Sequence, residues 1–187
     1  MAVKPKRESA PRPRARVAAR HAHAGGPPAR ARCAVITVSD TRGPRDDASG
    51  EAIATRLARA GHGVVHRAWV RDDPVAIRRS VRAALRDRAT DCVILTGGTG
   101  VAPRDRTPEA IAPLIERELP GFGEAFRSLS FRQVGSAAWL SRAVAGIARG
   151  RLVVALPGST RAVTLAVTKL LIPELGTGHI ALLLLIM

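Results

Sequence analysis

Short apolar runs alternate with amphipathic stretches along the chain, and this alternation predicts strands and helices in turn. Four runs are predicted to be strands, residues 33–39, 64–70, 92–95 and 152–156, and the first of them has the nearly continuous apolar character of a strand buried on both faces. Between the second and third runs, Ile77, Val81 and Leu85 form a stripe at helical spacing. The alternation predicts an α/β fold, a three-layer α/β/α sandwich with a largely parallel (mixed) central sheet.

Polar residues mark where the predicted helices begin. Ser49 is suited to cap a first helix, and Thr107 is suited to cap another that begins after the third strand. A last helix is expected from about Arg161. The stretch 122–142 has no clear period, and we expect Phe126 and Phe131 in it to pack inward.

A glycine-rich turn, residues 96–100, follows the third predicted strand and carries the strongest sign of chemistry. Its glycines can adopt φ > 0 and let backbone N–H groups approach an anion closely. Asp105 follows between two arginines, a pattern that suggests chemistry on a phosphate-bearing substrate. A tight strand-to-helix connection with solvated charges explains this segment equally well when it is taken alone.

The other predicted strands also end in marked loops, and the carboxyl ends of parallel strands meet at one edge of a sheet. This convergence predicts that Asp47, Asp72 and Asp105 lie together with hydroxyls and backbone donors. Such a set suits Mg²⁺ and phosphate, because magnesium is usually held by one or two carboxylates plus substrate oxygens. The expected binding residues are Ser39, Asp40, Asp47, Ser49, Gly50, Thr96, Gly97, Gly98, Thr99, Gly100, Pro157, Gly158, Ser159 and Thr160.

Composition divides the chain into a tail and one domain. Before Ala34 there are nine basic residues against the single acid Glu8, within a formal net charge of +15 over 187 residues. We therefore interpret residues 1–31 as a disordered basic tail rich in arginine and proline, and residues 32–187 as one domain. The tail lacks the apolar core of a secretory signal, and no run is long enough to span a membrane. A cytoplasmic protein is expected.

Several other classes of function are disfavoured. The chain has neither a Walker phosphate-binding motif nor a dinucleotide-binding fingerprint after its first strand. Cys33 and Cys92 each open an apolar run and are interpreted as buried small hydrophobes. Only 3% of residues are aromatic, which argues against a nucleic-acid-binding platform.

Five motifs occur in order: LTGGTG at 95–100, RDRTPEA at 104–110, PGFGE at 120–124, LSRA at 140–143 and LPGSTRAV at 156–163. Together they resemble the MogA/MoaB family of molybdenum cofactor biosynthesis proteins, which includes a domain of gephyrin. The resemblance covers roughly residues 33–175. Residues 129–131 and 157–160 are closer to the MoaB branch than to MogA.

The resemblance implies a molybdopterin-binding α/β/α domain that assembles into homo-trimers or homo-hexamers. In adenylylating members, molybdopterin and Mg-ATP give adenylylated molybdopterin and pyrophosphate. The family's two key acids fall on Asp72 and Asp105, as catalytic residues and Mg²⁺ ligands, although the adjacent Asp73 is an alternative to Asp72. The glycine loop would hold the pterin-side phosphate. Two functions stay open: a molybdopterin adenylyltransferase, or a non-catalytic, oligomeric carrier of molybdopterin or its precursor.

Assembly is expected on two grounds, the resemblance and the apolar segments that a monomer would expose. The stretch 122–139 holds the phenylalanines beyond the predicted sheet and is the candidate subunit contact. The leucine-rich run 182–186 is a second apolar segment suited to packing between subunits.

Overall fold

The computed structural model describes residues 30–41 and 43–177. The interpretation of the basic tail falls almost entirely outside these residues, as does the leucine-rich run 182–186. Within the described ranges, no helix is both long enough and apolar enough to cross a membrane.

A six-stranded sheet forms the centre of the fold, in the order β2-β1-β3-β6-β5-β4. Strands β1, β2, β3 and β6 are parallel, whereas β5 is antiparallel to β6 and β4 is antiparallel to β5. The mixed, largely parallel sheet is confirmed. The strands are β1 Arg32–Val38, β2 Gly63–Val70, β3 Cys92–Thr96, β4 Arg117–Glu118, β5 Val144–Ala148 and β6 Arg151–Leu156.

Helices cover both faces of this sheet. They are α1 Ala48–Arg59, α2 Pro74–Arg86, α3 Thr107–Ile111, α4 Pro120–Val134, α5 Thr160–Ala166 and α6 Ile172–Thr177. A π-helical turn, Val167–Leu171, joins α5 to α6, and 3-10 turns span Pro44–Asp46, Ala112–Leu114 and Gly135–Leu140.

Two apolar layers separate the helices from the sheet. In one layer, Ile53 of α1 and Phe126 of α4 pack with α5 and α6, whereas Ile77 of α2 and Ile111 of α3 pack in the other. Strand residues point alternately into the two layers, as they must in a strand covered on both sides. The three-layer α/β/α sandwich is confirmed, and Cys33 and Cys92 are buried free thiols, as expected.

Three local predictions were wrong. Phe131 is 60% exposed, because only one side of α4 contacts the core, through residues such as Phe126. The cap of α1 is Asp47 and not Ser49, since the Asp47 carboxylate accepts the Gly50 N–H. Thr107 is the first residue of α3 and does not cap it.

The sheet register aligns the ends of the three central strands. Thr37 of β1 is paired with Thr96 of β3, and Thr96 is paired with Leu156 of β6. The segments that follow these strands therefore leave the sheet side by side at its carboxyl edge.

Candidate functional site

A cleft of about 420 Å³ lies at the carboxyl edge of the central strands. The segments that follow β1, β3 and β6 all contribute to its wall, as does Asp72 after β2. The lining residues are Thr37, Val38, Ser39, Asp40, Thr41, Ser49, Asp72, Thr96, Gly97, Gly98, Thr99, Gly100, Arg104, Asp105, Ser141, Pro157, Gly158 and Ser159.

The floor of the cleft requires glycine at two adjacent positions. Gly97 and Gly98 have φ values of +106° and +62°, a region that side chains rarely adopt. A Cβ on Gly97 would lie 2.1 Å from the carbonyl oxygen of Val38. A Cβ on Gly98 would lie 2.4 Å from the Thr107 hydroxyl and 2.6 Å from an Asp72 carboxylate oxygen. Any other residue at Gly98 would therefore disturb the acid beside it.

Hydrogen bonds tie the glycine loop to its neighbours. The Thr107 hydroxyl donates to the Gly97 carbonyl at 2.8 Å, and the Thr96 hydroxyl donates to the Pro157 carbonyl at 3.0 Å. Gly158 packs so closely on Gly97 that a Cβ there would lie 3.3 Å from the Gly97 Cα. The loops after β3 and β6 therefore form one continuous surface.

Asp72 and Asp105 lie on this surface, each held through one carboxylate oxygen. Asp72 Oδ1 accepts the Arg106 backbone N–H at 3.3 Å, and Asp105 Oδ2 accepts the Ala102 N–H at 3.0 Å. Among the described residues, nothing donates to the second oxygen of either carboxylate. One oxygen of each acid is therefore available to a ligand.

The surroundings of Asp72 disfavour its charged form. Burial raises the pKa of Asp72, and the nearby carboxylates of Asp105 and Asp40 raise it further. The Arg106 N–H and the Arg104 guanidinium oppose this shift without reversing it. A cation bound between these acids would relieve their mutual repulsion.

Arg142 holds the segment that carries Asp105. Its backbone N–H donates to the Thr99 carbonyl at 3.0 Å, and its Nε donates to the Gly100 carbonyl at 2.7 Å. Its two terminal nitrogens contact the Asp105 carbonyl and the Glu109 carboxylate. One side chain thus fixes the loop on both sides of Asp105.

Thr99 supplies a polar group without a partner at the cleft wall. Its side chain is almost fully buried, yet Thr99 Oγ1 makes no hydrogen bond with any described residue. A buried hydroxyl without a partner costs free energy. Thr99 lines the cleft, but neighbouring atoms cover its hydroxyl oxygen, so this group belongs to the wall and is not exposed to a ligand.

The remaining expected residues lie at the rim. Asp40 Oδ1 accepts the Asp72 backbone N–H at 3.1 Å, and Ser39 Oγ accepts the Thr41 N–H at 3.3 Å. The Ser159 hydroxyl accepts the Ala162 N–H at 3.2 Å and caps α5. Asp73 caps α2 through the Ala76 N–H and is not among the cleft-lining residues, so the geometry favours Asp72 over Asp73.

Asp47 is not part of the cleft, which corrects the expected convergence of three acids. Its buried carboxylate accepts hydrogen bonds from the Thr37 hydroxyl at 2.9 Å and from the Gly50 N–H at 2.8 Å. Arg67 and Trp69 of β2 also donate to it, at 3.0 and 3.1 Å. These bonds turn the carboxylate inward, where it supports the cleft wall from behind.

Two further expected residues do not line the cleft. Gly50 is buried in the first turn of α1, where a Cβ would lie 2.0 Å from an Asp47 oxygen. Thr160 lies in the first turn of α5, where it contributes to a separate surface depression. Among the described residues, no group of three or more His, Cys, Asp or Glu side chains is arranged to hold a metal ion.

Six cleft or loop residues were not predicted from the sequence as parts of the site: Thr37, Val38, Thr41, Arg104, Ser141 and Arg142. Arg104 follows the glycine loop directly, and its place between the loop and Asp105 was a usable signal. Ser141 and Arg142 belong to the LSRA motif, so the motif was visible although its contacts were not.

Comparison with known proteins identifies the family and the fold. A family model described as a "probable molybdopterin binding domain" matches residues 34–177. The chain is 52% identical over 146 residues to molybdenum cofactor biosynthesis protein B of Bacillus subtilis, covering 78% of this chain and 86% of that protein. The chain belongs to the MoaB family of molybdenum cofactor biosynthesis proteins.

Solved structures of MoaB proteins agree with this assignment. A crystal structure of molybdenum cofactor biosynthesis protein B matches with a TM-score of 0.83 and 41% identity, over 87% of this chain and all of that chain (100%). The tungsten cofactor synthesizing protein MoaB from Pyrococcus furiosus matches with a TM-score of 0.69 and 40% identity, over 74% and 89% of the two chains. The MogA/MoaB resemblance of the sequence is confirmed, on the MoaB side.

Proposed function

We propose that this MoaB protein binds molybdopterin in the cleft and adenylylates it with Mg-ATP, releasing pyrophosphate. The observation that carries this proposal is the pair of acids Asp72 and Asp105, each with one oxygen open to a ligand beside the Gly97–Gly98 turn. In this reaction, a phosphate oxygen of molybdopterin bonds to the α-phosphorus of ATP as the bond from that phosphorus to pyrophosphate breaks.

The residues of the cleft fit the charges of these substrates. Backbone N–H groups of a glycine turn suit a phosphate of the pterin. Asp72 and Asp105 would hold Mg²⁺ through their open oxygens, while phosphate oxygens complete its shell. The ion would neutralise charge on the reacting phosphates, and the protein's part is to position the groups and to hold the acids in place.

A second function, a non-catalytic carrier of molybdopterin or its precursor, is favoured by the loop after β6, which lines the cleft with Pro157, Gly158 and Ser159 and is closer to the MoaB branch than to MogA. A carrier needs only the glycine turn and the hydroxyl-lined wall, and it would bind the pterin without consuming ATP.

One assay separates these functions. The protein is incubated with molybdopterin and Mg-ATP, and the pyrophosphate released is measured. The cleft variants are Asp105→Asn and Asp72→Asn. The control is Asp46→Asn, because Asp46 is an exposed acid outside the cleft. An adenylyltransferase releases pyrophosphate, the cleft variants lose turnover by orders of magnitude, and the control retains it. Pterin binding with no pyrophosphate would overturn the transferase and support the carrier.

We also propose that the protein works as a homo-trimer or homo-hexamer. The α4 segment and the 3-10 turn after it expose Phe131 at 60% and Trp139 at 72%, which is costly for a monomer. Light scattering should give a mass of at least three chains, and Trp139→Ser should reduce it. If the unmodified protein has the mass of a monomer, the proposed assembly is wrong, whereas the proposed binding of molybdopterin in the cleft is unaffected.

A further inference from the structure

Helix α2 presents a face of arginines to solvent. The helix contains Arg78, Arg79, Arg82 and Arg86 and has neither Asp nor Glu between its ends. Its other side is apolar and buried against the sheet, so these side chains are forced outward. Within the described chain, none of the four takes part in an ion pair. We call this surface the α2 arginine face.

The α2 arginine face surrounds an apolar side chain. Val75 is 62% exposed and lines a shallow groove of about 370 Å³ with the four arginines. Arginines around an exposed apolar residue are typical of protein interfaces, because the guanidinium is weakly hydrated and bonds carboxylates through two nitrogens at once.

A second groove connects this face to the cleft. This groove, of about 570 Å³, includes Arg79 from α2 and Arg71 from the segment before it. It also includes Asp40 and Asp72, which line the cleft itself. A partner seated on the α2 arginine face would therefore lie next to the Asp72 rim, where a substrate enters or a product leaves.

We propose that the α2 arginine face is the docking surface for an acidic protein partner. Charge disfavours pairing with the same face of a second copy, since α2 contains four arginines and no acid and two such faces would repel each other. Single-stranded nucleic acid is disfavoured because no aromatic side chain lines the groove between the arginines for a base to stack on, and a DNA duplex is tested separately. The proposal goes beyond the proposed function and holds for a transferase or a carrier alike.

The test compares two sets of charge removals in the full chain. One variant carries Arg79→Ser, Arg82→Ser and Arg86→Ser. The matched control carries Arg59→Ser, Arg117→Ser and Arg132→Ser, which are equally exposed but lie on α1, β4 and α4, away from this face. The basic residues before Ala34 are present in both proteins, so their attraction for any anion cancels.

The probes are a fluorescein-labelled, glutamate-rich peptide with interspersed leucines and a labelled DNA duplex, measured by anisotropy at two salt concentrations. We expect the α2 variant to weaken peptide binding about tenfold, which three exposed charge contacts can supply. The control should change it less than about threefold. Equal losses in both variants would overturn the proposal, because the attraction would then be general.

Two further outcomes are decisive. If the α2 arginines support DNA binding at least as strongly as peptide binding, the assignment to a protein partner is wrong. Should the triple variant lose its circular dichroism spectrum, Arg82→Glu replaces it, because Arg82 is exposed and takes part in no ion pair with the described residues. Unchanged peptide binding by Arg82→Glu would likewise overturn the proposal. Because this test measures binding and not turnover, its result does not depend on whether the protein catalyses the proposed adenylyl transfer.

Discussion

The buried carboxylate of Asp47 offers the sharpest test of how the cleft is supported. Its side chain is 1% exposed, and its two oxygens accept from different donors. Oδ1 accepts the Gly50 N–H at 2.8 Å, whereas Oδ2 accepts from Thr37, Arg67 and Trp69 at 2.9 to 3.1 Å. Every one of these partners is a donor, so the site is built for an acceptor-only group.

Asp47→Asn should therefore destabilise the protein although it changes only one atom. The best orientation keeps the amide oxygen toward Arg67 and its neighbours and turns the NH₂ group toward the Gly50 N–H. That orientation loses the α1 cap, worth about 1 kcal/mol, and weakens a charge-assisted bond worth about 2 kcal/mol. The expected loss in the free energy of unfolding is therefore about 3 kcal/mol. This value lies at the low end of the range for removing one partner of a buried ion pair, because Arg67 is 28% exposed and stays partly hydrated.

Urea unfolding followed by circular dichroism measures this loss, and a thermal scan should show Tm lower by roughly 6–12 °C. Asp46→Asn is the matched control, since Asp46 is the preceding residue, is exposed, and should change stability by less than about 0.5 kcal/mol. Equal stability of the two variants would refute the claim that the Asp47 network supports the fold.

Three further predictions concern the cleft. Gly98→Ala should lower molybdopterin affinity at least tenfold, because its Cβ meets Asp72, whereas Gly121→Ala in open space should bind normally in the same titration. Arg142→Gln should free the segment that holds Asp105, which hydrogen exchange over residues 99–109 would detect and Arg132→Gln would not reproduce. Asp72→Asn should raise the free energy of unfolding at neutral pH. The fold raises the pKa of Asp72 above 3.8, so the ionised carboxyl costs stability increasingly as pH rises through the folded pKa, and no gain should remain below 3.8. An equal gain at all pH values would contradict this.

The parts of the fold that were predicted from sequence are those with a strong local pattern. Strands β1, β3 and β6 are continuous apolar runs, and α2 has an apolar stripe at helical spacing. Strand β5 was not predicted because Ala145, Gly146 and Ala148 are too small to give a strand signal, and β4 has only two residues. Strand β5 forms by pairing with β6, and β4 forms by pairing with β5. Pairing between strands is a tertiary contact that leaves no local pattern in the sequence.

The same distinction explains the candidate site. The rule that parallel strands end at one edge placed Asp72 and the glycine turn in the right region of the sheet. It could not give the direction of a side chain, and Asp47 turns inward because of Arg67 and Trp69, which lie 20 and 22 residues further along the chain. Arg142 was missed as a positioning residue for a similar reason, since its contact at Gly100 lies 42 residues away.

The interlocked loops after β3 and β6 also govern when the cleft can form during folding. Thr96 and Pro157, which are hydrogen-bonded to each other, lie 61 positions apart in the chain, and Cys92 pairs with Leu152 across nearly the same interval. Closing so long a loop delays contact formation, because its entropy is lost before the strands gain their pairing. A nascent chain that stops before β6 therefore carries both acids and the glycine turn but lacks the wall that Pro157, Gly158 and Ser159 provide. The cleft can therefore form only after nearly all of the described chain has been synthesised.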